Sequence, residues 1–145
     1  KKRGKIMYKV STESTFDSAH FLSGYSGKCS NLHGHRWRVI VYVNSENLIE
    51  EGNDNGMVVD FANLKNDLNE ICDKLDHTLI YQVKTLKSST RLMMEEEGFA
   101  LTPVEFRPTA ENFAKYFYDH MKGLGYNVCE VTVYETPSNA ATYSE

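Results

Sequence analysis

Cysteine, basic charge and long apolar runs are all scarce in this 145-residue chain, and each shortage excludes a class of protein. Three cysteines are an odd and low count, which argues against a disulfide scaffold and favours free thiols in a reducing, cytoplasmic compartment. Lysine and arginine total 16 against 20 acidic residues, and the resulting net charge of −4 argues against a nucleic-acid partner. No apolar run approaches the roughly 18–20 residues that span a bilayer, so we expect no membrane partner.

The remaining composition is typical of a globular protein. Apolar residues make up 41% and charged residues 25% of the chain, unlike a disordered sequence. The length favours a single domain over residues 1–145, and no repeat or low-complexity linker divides it. Residues 1–5 are basic but are not followed by the apolar core of a secretion signal, which agrees with a cytoplasmic location.

Alternating apolar and polar residues predict four β-strands. The clearest alternation covers residues 35–44, where Trp37, Val39, Val41 and Val43 share one face with His35. Weaker extended patterns cover residues 6–16, 128–136 and 140–144. A glycine-containing loop over residues 22–31 joins the first two strands, so they could pair as a hairpin.

Two main helices are predicted between the second and third strands. The first follows Asp60, a suitable N-cap, and its apolar face comprises Phe61, Leu64, Leu68, Ile71 and Leu75. The second begins after Pro108 with Thr109 as N-cap, buries Phe113, Phe117 and Met121, and ends near Gly123 or Gly125. Residues 78–107 show only a short helical segment near 89–97. This order predicts an α+β fold, a four-stranded antiparallel sheet with both helices packed on one face.

Three histidines lie where a hairpin would bring them together. His33 and His35 are two apart on a strand, so their side chains point to one face, and Gly34 between them carries no side chain. His20 ends the first strand and lies beside this pair if the two strands form a hairpin. Three imidazoles with a free fourth position are typical of a catalytic zinc site, although iron and nickel also accept nitrogen ligands. The alternative is that these are ordinary surface histidines.

Cys29 lies in the polar loop four residues before His33. Its thiol could be a fourth metal ligand, a thiolate base beside a cation, or an ordinary buried side chain. The last interpretation is preferred for Cys72, on the apolar face of a predicted helix, and for Cys129, in a strand among valines.

Two acidic positions also stand out. Asp76 and His77 follow the first predicted helix and could relay a proton, although a helix end with a histidine that complements the dipole is the simpler interpretation. Glu135 falls on the apolar face of its strand, and an inward carboxylate is costly without a partner. It would bind a ring with paired N–H donors or form a structural salt bridge.

Taken together, these segments resemble the 6-pyruvoyltetrahydropterin synthase family, and more closely its bacterial 6-carboxytetrahydropterin synthase branch. The resemblance runs in order along nearly the whole chain, through residues 16–22, 29–35, 56–61, 75–77, 108–112 and 134–136. Three residues separate Cys29 from His33, as in the carboxy-forming branch. The resemblance implies the tunnelling fold, in which protomers form a trimeric barrel and two trimers stack as a homo-hexamer with active sites between subunits.

The resemblance also implies roles for individual residues. The zinc ligands would be His20, His33 and His35, and the catalytic thiol would be that of Cys29, with Asp76 and His77 as its partners in proton transfer. The pterin ring would be anchored by Glu135 and supported by Thr109 and the backbone that follows it, at Ala110. The triphosphate requires cations, for which Lys28, Arg36 and Arg38 are nearby candidates.

The implied activity is that of a zinc-dependent lyase. It would convert 7,8-dihydroneopterin triphosphate to 6-carboxytetrahydropterin, acetaldehyde and triphosphate, supplying queuosine and related 7-deazapurines. One alternative on the same scaffold is a 6-pyruvoyltetrahydropterin synthase or an aldolase acting on the pterin side chain. The other is a zinc-stabilised binding module without turnover, in which Cys29 closes the metal site.

Overall fold

Six strands form one sheet in the computed structural model, which describes residues 5–145. The basic residues 1–4 lie outside the described residues. The strands are β1 (Tyr8–His20), β2 (His33–Ser45), β3 (Leu79–Gln82), β4 (Leu101–Val104), β5 (Val128–Thr136) and β6 (Asn139–Ser144). The helices are α1 (Phe61–Leu75), α2 (Ser88–Glu96) and α3 (Ala110–Gly123), and a short 3-10 turn covers Lys28–Ser30.

The α+β class is confirmed, but the prediction of four antiparallel strands is wrong. The strands lie in the order β4-β3-β1-β2-β5-β6. The antiparallel part, β1-β2-β5-β6, contains the four predicted strands, while β3 and β4 add a parallel extension beside β1. Both added strands fall within residues 78–107. Each has four residues, and β3 is almost continuously buried, so neither shows the alternation by which a strand is recognised.

The two main helices form as predicted, for local reasons. The Asp60 side chain accepts hydrogen bonds from the first amides of α1, and the Thr109 hydroxyl accepts one from the Asn112 amide of α3. Their apolar faces pack on the sheet around Trp37, Phe113 and other fully buried residues. Phe61 is an exception to the prediction, because at the first position of α1 its side chain is 55% exposed.

The two main helices pack on one face of the sheet, as predicted, where they bury the core with β1, β2 and β5. Helix α2 connects β3 to β4, and its Met94 lines a cavity at the end of β1 together with Asp17 and Ala19.

The sheet ends in two strands with unpaired edges in the described chain, β4 and β6. Pro103, in the middle of β4, has no N–H group to offer a further strand. None of the helices within residues 5–145 is long and apolar enough to cross a membrane.

Candidate metal centre and active site

Three imidazoles converge at the end of the β1–β2 hairpin where the connecting loop lies. The antiparallel register places His20 directly opposite His33 and Ser18 opposite His35, so the predicted hairpin is confirmed. One ring nitrogen from each histidine lies within 4.8 Å of the other two. His20 is 1% exposed, while His33 and His35 are half-buried, so the cluster is open on one side.

Backbone carbonyls fix the protonation of two of these rings. His20 donates from Nδ1 to the Pro108 carbonyl at 2.8 Å, and His33 donates from Nδ1 to the Asn31 carbonyl at 2.7 Å, because a carbonyl can only accept. Each neutral ring then carries a lone pair on Nε2. These two nitrogens face one another at 3.0 Å, which is unfavourable unless a cation lies between them. About 3.3 Å separates two nitrogens of a tetrahedral zinc site with bonds of about 2.0–2.1 Å, so the spacing suits a metal.

Burial favours the neutral form of two of the three rings. It lowers the pKa of His20 to about 4 and also lowers the pKa of His35. The Nε2 atom of His35 is buried without a hydrogen-bond partner among the described residues. The Trp37 ring packs edge-on against His20 and His35, with centroids 5.1 and 5.4 Å apart. An unsatisfied nitrogen beside a packed aromatic ring fits a metal ion.

Cys29 does not complete this group of ligands. Within residues 5–145 the converging set consists of the three histidines, and Cys29 lies half-buried in the 3-10 turn before β2. The Cys29 carbonyl accepts a hydrogen bond from the Leu22 amide at 2.9 Å, which closes the loop between β1 and β2. A four-coordinate ion held here would keep one position for water or a substrate, as in catalytic sites. The other two cysteines are also unpaired. Cys72 is buried as predicted, whereas Cys129 is only half-buried.

Glu135 approaches the histidine cluster from strand β5. Its Oε1 lies 3.7 Å from Nε2 of His35, and its side chain is 29% exposed. Strict alternation along β5 predicts that the Glu135 side chain points inward. The register of β5 against β6 is irregular between Tyr134 and Thr136, and the side chain is only partly buried. The carboxylate borders a cavity of about 440 Å³, where it can accept hydrogen bonds from a bound ring.

Asp76 and His77 form a hydrogen-bonded pair. His77 donates from Nδ1 to Asp76 Oδ2 at 2.7 Å, so its Nε2 is free to exchange a proton. The Asp17 amide donates to Asp76 Oδ1 at 2.8 Å and lowers the pKa of this carboxyl group, and the Asp17 carbonyl accepts from the His77 amide at 2.6 Å. The backbone of β1 thus holds the pair, with His77 in the left-handed region at φ 58°.

Within one chain the pair is not part of the converging group of three histidines. The His77 amide donates to the Asp17 carbonyl of β1, in the turn that precedes β3. The His77 side chain is 79% exposed and borders a cavity of about 680 Å³, which Met94 of α2 and His35 also line.

Two backbone groups of the site were not predicted from the sequence. The Pro108 carbonyl holds His20 across 88 residues, and the Asn31 carbonyl holds His33 from two residues away. Thr109 and Ala110 start α3 directly after Pro108, so the helix start that the sequence indicated lies beside the metal ligands. The Thr109 hydroxyl is used in the helix cap, and Ala110 is buried. Every residue carries a backbone carbonyl, so the residue types do not indicate which carbonyl accepts a hydrogen bond from a histidine.

Comparison with known proteins agrees with this geometry. Residues 9–145 match the family model described as 6-pyruvoyl tetrahydropterin synthase. The 6-carboxy-5,6,7,8-tetrahydropterin synthase of Haemophilus influenzae is 34% identical over 142 residues, covering 96% of this chain and all of that protein. The enzyme of the same name from Aquifex aeolicus is 38% identical over 128 residues, covering 81% of this chain and 76% of that protein.

Solved structures share the fold. An uncharacterized protein from Wolinella succinogenes, 24% identical, superposes with a TM-score of 0.79 over 97% of this chain and 99% of the other. The 6-pyruvoyl tetrahydropterin synthase of Caenorhabditis elegans, 26% identical, gives a TM-score of 0.67 over 97% and 96% of the two chains. The match of the family model to nearly the whole chain, together with these relatives, shows that the protein belongs to the 6-pyruvoyl tetrahydropterin synthase family.

Proposed function

We propose that the protein is a zinc-dependent 6-carboxy-5,6,7,8-tetrahydropterin synthase. It would convert 7,8-dihydroneopterin triphosphate and one water to 6-carboxytetrahydropterin, acetaldehyde and triphosphate, a cytoplasmic step towards queuosine and other 7-deazapurines. The observation that carries the proposal is the convergence of three histidines with a carboxylate 3.7 Å from one of them. The names of the bacterial relatives and the short spacing between Cys29 and His33 support the carboxy-forming reaction.

The substrate would be oriented by the groups that surround the histidines. Glu135 would accept hydrogen bonds from two N–H groups of the pterin ring and so fix the ring beside His35. Thr109 and the backbone at Ala110 would support the ring from the start of α3. A metal ion held by His20, His33 and His35 would supply Lewis acidity towards the hydroxyl groups of the substrate side chain.

Proton transfer would be divided between two residues with different environments. The Cys29 thiolate would remove a proton from the side-chain carbon of the substrate, acting as general base. His77 would return a proton from its Nε2 atom, while Asp76, whose pKa is lowered mainly by the Asp17 amide, stays ionised and orients the ring. A second subunit would complete this arrangement, because His77 of one chain is not part of its own histidine cluster.

The proposed assembly is a homo-hexamer of two stacked trimers with sites between subunits. Its support is the exposure of His77, the unpaired edges of β4 and β6 in the described chain, and the exposed apolar side chains Leu32 and Phe99 beside the His77 cavity. In such an assembly, helix α2 forms the wall that shelters His77. This gives residues 78–107 a place in the site.

Product analysis combined with metal analysis tests the proposed function. Purified protein is incubated with 7,8-dihydroneopterin triphosphate, the products are identified by mass spectrometry, and bound metal is quantified. We expect 6-carboxytetrahydropterin and acetaldehyde in equal amounts and about one zinc per chain. Formation of 6-pyruvoyltetrahydropterin without acetaldehyde would favour the alternative activity, which the name of the family supports. Bound zinc without turnover would favour the binding module.

Replacing Glu135 by glutamine should lower kcat/KM by about 100-fold, because the variant loses a charge-assisted acceptor and presents a donor to the donors of the ring. Metal content should not change, since Glu135 is 3.7 Å from His35 and is not one of the three ligands. Glu130→Gln is the matched control on β5, where the carboxylate pairs with Lys9. Steady-state kinetics on all three proteins provide the measurement, and an unchanged kcat/KM in Glu135→Gln would remove the anchoring role.

A further inference from the structure

Two cavities meet at the start of strand β2. The larger, about 680 Å³, is bordered by His77, and the smaller, about 440 Å³, is bordered by Glu135. They share Gly34, His35 and Arg36, so a molecule anchored at Glu135 that extends from the smaller cavity into the larger one comes within reach of Arg36. Both volumes lie in the range of sites that hold small molecules.

Arg36 is available to a ligand in this passage. Its guanidinium group donates from Nε to Asp17 Oδ1 at 2.9 Å and from a terminal nitrogen to Oδ2 at 3.1 Å. The two side chains are 74% and 40% exposed, and an exposed ion pair contributes little net stability. A planar guanidinium group binds phosphate with the same two-pronged geometry, so an entering phosphate can replace the carboxylate at low cost.

The two other candidate cations are less suited to this task. Arg38 donates to Glu13 at 2.9 Å, and its guanidinium carbon lies 4.1 Å from the centroid of the Tyr134 ring, so it is held from two sides. Lys28 lies in the turn beside Cys29 and borders neither of the two cavities in the described chain. Arg36 is the arginine that borders both.

We propose that Arg36 binds a phosphate group of the substrate and selects the triphosphate over the unphosphorylated pterin. This inference rests on the proposed function, whose substrate it describes. Asp17 acts as the temporary partner that holds the guanidinium group in the passage when the site is empty. Because the chain carries a net charge of −4, a local cation favours binding of a highly anionic substrate.

The test compares dissociation constants of two compounds for the zinc-loaded protein, 7,8-dihydroneopterin and its triphosphate. We expect Arg36→Gln to weaken binding of the triphosphate by about 10- to 100-fold and to leave binding of the unphosphorylated compound within about twofold. Arg36→Lys should recover part of the lost affinity for the triphosphate, because lysine keeps the positive charge but lacks the planar guanidinium group that makes two parallel hydrogen bonds. KM for the triphosphate should rise in parallel while kcat changes little.

Arg91→Gln is the control, since Arg91 lies on α2 in an exposed pair with Glu95 and borders neither cavity in the described chain. An unchanged preference for the triphosphate in Arg36→Gln would overturn the inference, as would a larger loss in Arg38→Gln. If the wild-type protein binds neither compound, the proposed function itself fails and the inference falls with it. Binding of both compounds with no effect of Arg36 leaves the proposed function intact.

Discussion

Replacing Cys29 by alanine is expected to lower turnover by about 10²- to 10⁴-fold, the contribution of a general base, and to leave bound metal at the wild-type level. The structure supports the second half of this expectation, because the converging ligand set in the described chain is formed by histidines alone. Cys29 lies in the short 3-10 turn before β2 and is not a member of that set. Loss of the thiol should therefore affect proton transfer and spare the metal.

The measurement pairs turnover with metal content and thermal stability. Cys129→Ala is the matched control, because Cys129 is half-buried in β5 and its sulfur contacts the Tyr42 carbonyl at 3.4 Å, away from the proposed chemistry. Cys72 is less suitable, since it is fully buried in the core and burial raises the pKa of its thiol to about 11. Loss of zinc and of folding together in Cys29→Ala would instead indicate a closed structural site.

Removal of one histidine ligand should have an equally large effect of a different kind. His33→Ala is expected to weaken metal binding by at least about 100-fold, since even groups that only orient a ligand contribute about 10- to 100-fold. Turnover should be lost with the metal. His33 is preferred to His20 for this experiment, because it is half-buried and its replacement disturbs the core less.

Chelation of the wild-type protein offers the companion measurement. The apoprotein should keep its secondary structure, because the core around Trp37 and Phe113 is formed without the metal, and zinc should restore turnover. His120→Ala, which alters an exposed histidine on α3, should bind metal normally. A His33→Ala protein that retains one tightly bound zinc per chain would contradict the assignment of this residue as a ligand.

Much of the site was predictable because the chemistry is local to one hairpin. The alternation over β2 fixes which face carries His33 and His35, and a short loop returns the chain so that His20 lies opposite them. Asp60 and Thr109 are similarly informative, since a capping side chain acts within its own helix turn. In these cases the interaction that stabilises the structure lies within a few residues or one strand pair.

The rest depends on contacts that the sequence does not encode locally. Strands β3 and β4 are too short to show a period, and only the pairing of β3 with β1 and of β4 with β3 reveals them. The position of His77 also depends on a contact distant in sequence, since its amide donates to the Asp17 carbonyl of β1.

The hydrogen bond from His20 to the Pro108 carbonyl has a consequence for biogenesis. All three histidines are synthesised early, but the group that orients the first of them emerges 88 residues later. If the three histidines hold a metal ion, a nascent hairpin would bind it before His20 is oriented. The full site would form only after Pro108 has been synthesised and packed against His20.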